Sequence, residues 1–232
     1  PFGWQWRIPL QNRVGNGLVF SSKELSETDA IEVIKQNVEG ELLIQPRVIK
    51  FLPGQRNKVW ERNCIAVGLS GGFMEPLEST SIHLIQRAVL RLIRMLPLEQ
   101  VSDRDIAEFN EQQHADMLQI RDFLVLHYHV TDRRDSPFWR QCAAMDVPDT
   151  LRQKIELFRE TGRVFRRNEE LFAENSWVQV MMGQGIVPQA WHPVAAKLRD
   201  AELDRFLSGI RDDVAATVAG MPAHGDYVAR YC

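Results

Sequence analysis

The spacing of apolar residues changes near residue 70, and this change limits the possible fold more than any other feature. Before it, short segments rich in β-branched residues alternate with turn residues such as Pro53-Gly54. Beyond it, apolar residues recur every three or four positions, as they do on one face of an α-helix. The sequence therefore predicts an α+β fold, with a small β-rich part over 1–96 and a mainly helical part over 97–232.

Turn residues and apolar spacing divide the chain into predicted elements. Gly15-Asn16-Gly17 tolerates positive φ and predicts a hairpin turn. Ser26 is the expected N-cap of a helix that ends near Val38, and Ser102 the expected N-cap of a long helix. The other predicted strands cover 42–44, 47–51 and 59–69. The other predicted helices run from near Ser79 to Leu96 and over 149–160, 167–182 and 193–219.

Composition narrows the class of protein. The 232 residues are 44% apolar, enough for a sizeable core, and their formal charge of -3 gives no bulk attraction to nucleic acid or to an anionic membrane. No apolar run approaches the roughly 20 residues of a membrane span. Three cysteines without a CxxC pair favour a reducing cytoplasm over a disulfide framework. Because the first residues contain neither Met nor a leader pattern, the stretch is expected to be a fragment of a longer cytoplasmic protein.

The stretch around Gly71-Gly72 carries the clearest chemical pattern. A predicted buried strand leads into these glycines, whose lack of a Cβ lets another molecule approach the backbone. A helix expected to start near Ser79 offers free N–H groups to an anion, and Thr80 adds a hydroxyl. Glu75 and Glu78 are carboxylates at the same place and therefore candidate bases. Simple capping of the helix by Glu78 and Ser79 explains the same residues equally well.

Aromatic residues form the second pattern. Alternation along a strand places Trp4, Trp6 and Ile8 on one face, where they either wall a cofactor channel or fill a core, which is the commoner use of such residues. His127-Tyr128-His129 lacks a third ligand nearby, so no metal is predicted, and aromatic packing together with Phe138-Trp139 is favoured. Cys64 is expected to be a small core residue in the strand over 59–69.

Two motifs resemble the flavin-dependent tryptophan halogenases. Trp4-x-Trp6-x-Ile8-Pro9 fits the WxWxIP signature of that family, and residues 72–80 fit its GF-x-EPLEST element. Weaker similarity extends over nearly the whole chain, through Asp122-Phe123, His127-Tyr128, Phe138-Trp139 and Ser176-Trp177. The resemblance implies the C-terminal part of a flavin-monooxygenase-like fold. It would contain the β-rich segment and last strand of the FAD module, followed by a helical region on the substrate side.

The resemblance also implies an enzymatic mechanism. A separate flavin reductase, bound transiently, supplies reduced FAD, which reacts with O2 and oxidises a halide to hypohalous acid. The oxidant passes through a tunnel to a lysine, which presents electrophilic halogen to an indole-type ring or another electron-rich aromatic substrate. The family's GxGxxG motif and this lysine would precede residue 1. The 232 residues alone are therefore expected to bind FAD weakly and not to halogenate.

Individual roles follow from the positions that match. Glu78 corresponds to the catalytic glutamate beside the substrate, and Thr80 with the backbone of Ser81 to the halide site. The remaining matched positions are the flavin contacts Leu69, Gly71, Gly72 and Ile82, and the substrate or tunnel residues Trp4, Trp6, His127, Tyr128, Phe138 and Trp139.

Departures from the family bear on the substrate. Free-tryptophan enzymes usually have Gly where this chain has Ser81, and a Glu that holds the substrate ammonium where this chain has Arg134. Because an Arg would repel an ammonium, the expected substrate is an indole without a free amino group, a peptide-borne ring or another electron-rich aromatic. A flavin hydroxylase of related fold and a non-catalytic binding module remain alternatives, and the oligomeric state is left open.

Overall fold

The computed structural model describes residues 1–96 and 100–232, so the predicted boundary between 1–96 and 97–232 adjoins residues outside those described. The described chain contains helices and three small two-stranded sheets, as the α+β prediction requires. The strands are β1 (Gly3–Pro9), β2 (Val14–Phe20), β3 (Gly54–Gln55), β4 (Trp60–Glu61), β5 (Cys64–Ile65) and β6 (Gly72–Phe73). The helices are α1 (Glu27–Asn37), α2 (Ser81–Met95), α3 (Asp103–His129), α4 (Pro137–Ala144), α5 (Asp149–Thr161), α6 (Glu174–Gly183), α7 (Asp200–Ala219) and α8 (His224–Tyr231).

Strands β1 and β2 form an antiparallel hairpin that places Trp6 opposite Gly17. The predicted turn at Gly15-Asn16-Gly17 is wrong, because these residues lie inside β2. A Cβ at Gly17 would come within 2.2 Å of the Trp6 indole, and one at Gly15 within 3.2 Å of the same ring. The glycines therefore make room for a tryptophan on the neighbouring strand and do not turn the chain.

The strands predicted over 42–44 and 47–51 are absent, and Ile44 and Leu52 are 81% and 89% exposed. β-branched residues favour a strand only where a partner can pair with it. The strand predicted over 59–69 is instead the short hairpin β4–β5, followed by a 3-10 turn at Gly68–Ser70. Cys64 is exposed in that hairpin, so its assignment to the core is wrong as well.

The helices with strong capping signals match their predictions. Ser26 caps α1 by accepting from the Asp29 backbone N–H, and Ser102 and Asp105 form a capping box at the start of α3. Short helices α4 and α8 were not predicted, and α6 and α7 begin at Glu174 and Asp200, later than expected.

Helix α3 is the centre of the fold, because α2, α4, α5 and α6 all contact it. The main core lies between α3, α5 and α6 and includes the fully buried Phe158, Trp177 and Met181. A buried ion network joins α2 to α3. Asp116 accepts two hydrogen bonds from Arg87, both at 3.0 Å, and one from Arg91 at 2.6 Å. This network fixes the position of α2 and therefore of its N-terminal turn.

Helix α7 differs from the others because it buries no residue. Its apolar side chains face solvent in the described chain: Leu203, Phe206, Leu207, Ile210, Val214 and Val218. None of the helices in the described ranges is long and apolar enough to cross a membrane.

Candidate functional site

The residues that precede α2 form an irregular turn at the heart of the site. A 3-10 turn covers Pro76–Glu78, and Ser79 then adopts a left-handed conformation with φ of 53°. Thr80 is the N-cap and is 4% exposed, and its side chain does not cap the helix. The helix thus begins at Ser81, two residues later than predicted, and Glu78 and Ser79 are not its caps. Its first N–H groups have no intrahelical acceptor.

The double glycine lies beside this turn. A Cβ at Gly71 would meet the Ala66 carbonyl at 3.0 Å, and one at Gly72 would meet the Gly54 carbonyl at 2.8 Å. The atoms that approach these glycines are therefore the chain's own, which explains both residues without an external molecule. The same glycines and Ser81 border a small cavity, whose other lining residues include Gly68, Leu84, Ala88 and Met117.

Leu69 and Ile82, the predicted flavin contacts with side chains, lie on the surface of the described chain and are 70% and 78% exposed. Exposed apolar side chains on both sides of a helix N-terminus can contact a planar cofactor or another part of the protein. Their role stays a prediction.

Glu78 and His127 are in contact, and this contact links the turn before α2 to the end of α3. His127 Nε2 lies 3.0 Å from Glu78 Oε1, while its Nδ1 lies 2.8 Å from the Phe123 carbonyl oxygen. The Phe123 ring also packs edge-on against the imidazole, with ring centroids 4.8 Å apart. Glu78 and His127 are both partly buried, so their charges are screened less than those of a surface pair.

Glu75 lies on the same turn as Glu78 and points inward. Both of its carboxylate oxygens are buried, and within the described ranges neither has a hydrogen-bond partner. Burial raises the pKa of Glu75, while the nearby Tyr128 hydroxyl and Trp4 indole favour its charged form without making hydrogen bonds of acceptable geometry. Burial also raises the pKa of Tyr128, and the negative charge of Glu75 adds to that effect.

The predicted aromatic residues meet next to these carboxylates. The Trp4 indole N–H donates to the Tyr128 hydroxyl at 2.8 Å. Tyr128 stacks on Trp139 with ring centroids 5.9 Å apart, and Phe138 contacts Trp139 edge-on at 4.9 Å. Trp6 instead lies over the glycines of β2. Four of the five predicted substrate-side aromatics therefore form one connected group.

Arg134 has a local role in the loop after α3. Its guanidinium donates to the carbonyl oxygens of Thr131, at 2.6 Å, and Arg133, at 2.8 Å. The Arg133 guanidinium lies over the Trp139 ring at 4.5 Å. Within the described ranges, no group of three His, Cys, Asp or Glu residues is arranged to hold a metal ion.

The two contacts that organise this site, Glu78 with His127 and Trp4 with Tyr128, were not predicted. Each joins residues far apart in sequence, and neither spacing nor periodicity reports which distant side chains meet. The only sequence signal was that both partners of each pair belong to conspicuous motifs.

Comparison with known proteins identifies the family to which this chain is similar. A model of the tryptophan halogenase family matches residues 1–200, so the match ends where α7 begins. The 7-chloro-L-tryptophan 6-halogenase KtzR of Kutzneria sp. is 30% identical over 98% of this chain and 45% of its own length. The chain therefore spans less than half the length of this curated relative.

Solved structures of flavin-dependent halogenases are also similar to this chain. Xcc4156, a flavin-dependent halogenase from Xanthomonas campestris, is 55% identical, with a TM-score of 0.96 over 100% of this chain and 47% of its own. BrvH, a flavin-dependent halogenase from Brevundimonas sp. BAL3, is 42% identical, with a TM-score of 0.92 over 98% of this chain and 46% of its own.

Proposed function

Because this chain belongs to the tryptophan halogenase family, we propose that it supplies the halide and substrate side of a flavin-dependent halogenase. The protein would use reduced FAD, O2 and a halide to halogenate an electron-rich aromatic ring. The observation that carries the proposal is the arrangement around α2. A buried Thr80 and an uncapped helix start lie two residues from a carboxylate that faces an aromatic group.

The start of α2 has the properties that a halide site needs. Free N–H groups and the helix dipole favour a negative ion there, and the Thr80 hydroxyl can donate a further hydrogen bond. Ser81 borders the small cavity beside the double glycine. We infer that Thr80 and Ser81 hold the halide.

The exposed apolar side chains next to this turn fit a planar cofactor. Leu69 and Ile82 stand on the outer side of the turn, where a flavin ring could cover them. When bound, reduced FAD with O2 supplies the oxidising equivalents that convert the halide into electrophilic halogen. A flavin reductase is the proposed source of the reduced cofactor. The residues of this chain then position the ion and the ring to be modified.

Glu78 is the proposed base. Addition of electrophilic halogen makes the substrate ring cationic, and a nearby carboxylate stabilises that charge. The ring C–H bond then breaks, its proton goes to a Glu78 oxygen, and the bonding electrons restore aromaticity. The group formed by Trp4, Tyr128, Phe138 and Trp139 borders Glu75 on the same turn, and Tyr128 adjoins His127, which contacts Glu78.

The proposed substrate is an indole-type ring without a free amino group. KtzR is named for a tryptophan derivative, whereas the resemblance to free-tryptophan enzymes matches Arg134 of this chain to the Glu that holds their substrate ammonium. A competition between free tryptophan and indole tests this part of the proposal. Preferential halogenation of free tryptophan would contradict it.

The activity test uses the intact protein with FAD, a flavin reductase, O2 and chloride or bromide. Halogenated product is expected only when halide is present, and Glu78→Gln should lower its rate by about 100-fold or more, the usual loss of a proton-transfer group. The matched control is Glu111→Gln, an exposed position on α3. Hydroxylated product without halide would overturn the proposal. The 232 residues alone are expected to give no turnover.

A further inference from the structure

The contacts of His127 fix the number of protons on the Glu78–His127 pair. The Phe123 carbonyl can only accept a hydrogen bond, so Nδ1, at 2.8 Å from it, must carry a proton. The 3.0 Å contact between Nε2 and Glu78 Oε1 then requires a second proton between these two atoms. A neutral imidazole facing an ionised carboxylate would leave two lone pairs opposed.

We propose that His127 is a positioning residue for Glu78, which it holds as a carboxylate through an imidazolium Nε2–H. This inference rests on the proposed function of Glu78 as the base. The contact occupies Oε1, and no described residue donates a hydrogen bond to Oε2. Glu78 therefore keeps one oxygen fixed by His127 and one free to accept the ring proton.

Other charges near the pair favour an imidazolium at this position. Glu75 lies on the same turn as Glu78, and the two negative charges repel each other. Tyr128 follows His127 on α3 and stays uncharged, because burial raises its pKa. The positive charge of His127 therefore offsets the repulsion between two carboxylates that share one partly buried turn.

The protonation state is measured first, without reference to turnover. In the intact protein with 15N-labelled histidine, the His127 ring should show protons on both nitrogens at pH 7. In Glu78→Gln the same ring should carry one proton, on Nδ1. A singly protonated His127 in the unmodified protein at pH 7 would overturn the inference.

Kinetics then test the positioning role. His127→Gln keeps a donor without the charge and is expected to lower kcat about tenfold, at the low end for groups that assist proton transfer, with KM for the aromatic substrate little changed. The acid limb of the kcat profile should move to higher pH, because Glu78 is no longer held in its ionised form. His127→Tyr should show a higher kcat than His127→Gln at high pH, while the acid limb of its kcat profile stays at the higher pH seen in His127→Gln.

The control is His224→Gln, an exposed position at the start of α8 that is expected to change neither kcat nor the profile. An unchanged acid limb in His127→Gln would overturn the inference even if kcat fell. If the ring is doubly protonated but no halogenation occurs, the proposed function fails and the proton assignment stands.

Discussion

The indole N–H of Trp4 donates to the hydroxyl of Tyr128 at 2.8 Å, across 124 positions of sequence. This bond joins the β1–β2 hairpin to the last turn of α3, and its two residues also border the buried Glu75. The first strand and the central helix are therefore connected at the same place where the carboxylates of the turn before α2 converge.

Trp4 and Tyr128 are expected to stabilise the fold through the same hydrogen bond, so removing either partner should remove that contribution. We expect Trp4→Phe and Tyr128→Phe each to lower the free energy of unfolding by about 1 kcal/mol, the usual net value of a partly buried hydrogen bond. In a double-mutant cycle measured by urea unfolding, the two changes should be less than additive. Strict additivity would show that the bond contributes nothing.

Glu75 should make the protein less stable as pH rises. Burial holds the pKa of Glu75 above its ordinary value, so the folded protein binds this proton more tightly than the unfolded chain does. Stability is then lost as pH rises from the ordinary carboxyl range through the raised pKa.

Glu75→Gln is therefore expected to raise the free energy of unfolding at pH 8 by about 1 kcal/mol, of the order of the cost of an unpaired buried polar group. It should have little effect at pH 4. Urea unfolding at both pH values measures this, with Glu111→Gln as the exposed control. Equal effects of Glu75→Gln at the two pH values would argue against an unpartnered, buried carboxylate.

Gly17→Ala should destabilise the hairpin. Its Cβ would lie 2.2 Å from the Trp6 ring, so the indole must move, at a cost of about 1–3 kcal/mol for such overpacking. Gly209→Ala in α7 is the control, because a Cβ there meets nothing within 4 Å. That change should instead stabilise by about 0.5–1 kcal/mol through helix propensity. Thermal unfolding of both variants distinguishes the opposite signs.

Asp116→Asn should be the most damaging of these changes. It removes the acceptor charge from Arg87 and the buried Arg91, and loss of one partner of a buried ion pair costs about 3–5 kcal/mol. Asp204→Asn on the exposed face of α7 serves as the control and should be nearly neutral. A loss below 1 kcal/mol for Asp116→Asn would mean that the network does not hold α2 in place.

Ser81→Gly tests the proposed halide site by activity. Ser81 borders the cavity beside the double glycine, and the expected result is a KM for halide raised about fivefold, equivalent to one lost hydrogen bond of about 1 kcal/mol. KM for the aromatic substrate should stay the same. A halide KM unchanged in Ser81→Gly would show that the Ser81 side chain does not bind the ion.

Capping signals in the sequence predicted α1 and α3 well. Ser26 and Ser102 mark the starts of α1 and α3. Each capping side chain and the backbone N–H that it caps lie within one turn of each other, so the signal is local in sequence. The β-rich part was harder to predict, since a strand depends on a partner elsewhere in the chain. Residues 42–51 have strand-forming side chains and no strand, and the glycines of β2 serve the opposite tryptophan.

In the candidate site as well, features set by local sequence were predicted and features set by long-range packing were not. The turn from Gly72 to Ile82 is continuous in sequence, so its glycines, carboxylates and helix start were predicted together. The pairing of Glu78 with His127 was not, because it depends on how α3 lies against α2. Burial of Glu75 without a partner is likewise a property of the packed structure.

The close fit of Trp6 against Gly17 also limits how this hairpin can change in descent. A larger residue at position 17 displaces the indole and destabilises the hairpin, so such a change is expected to follow exchange of the tryptophan for something smaller. A lineage that keeps Trp6 is therefore expected to keep a small residue at the position that faces it.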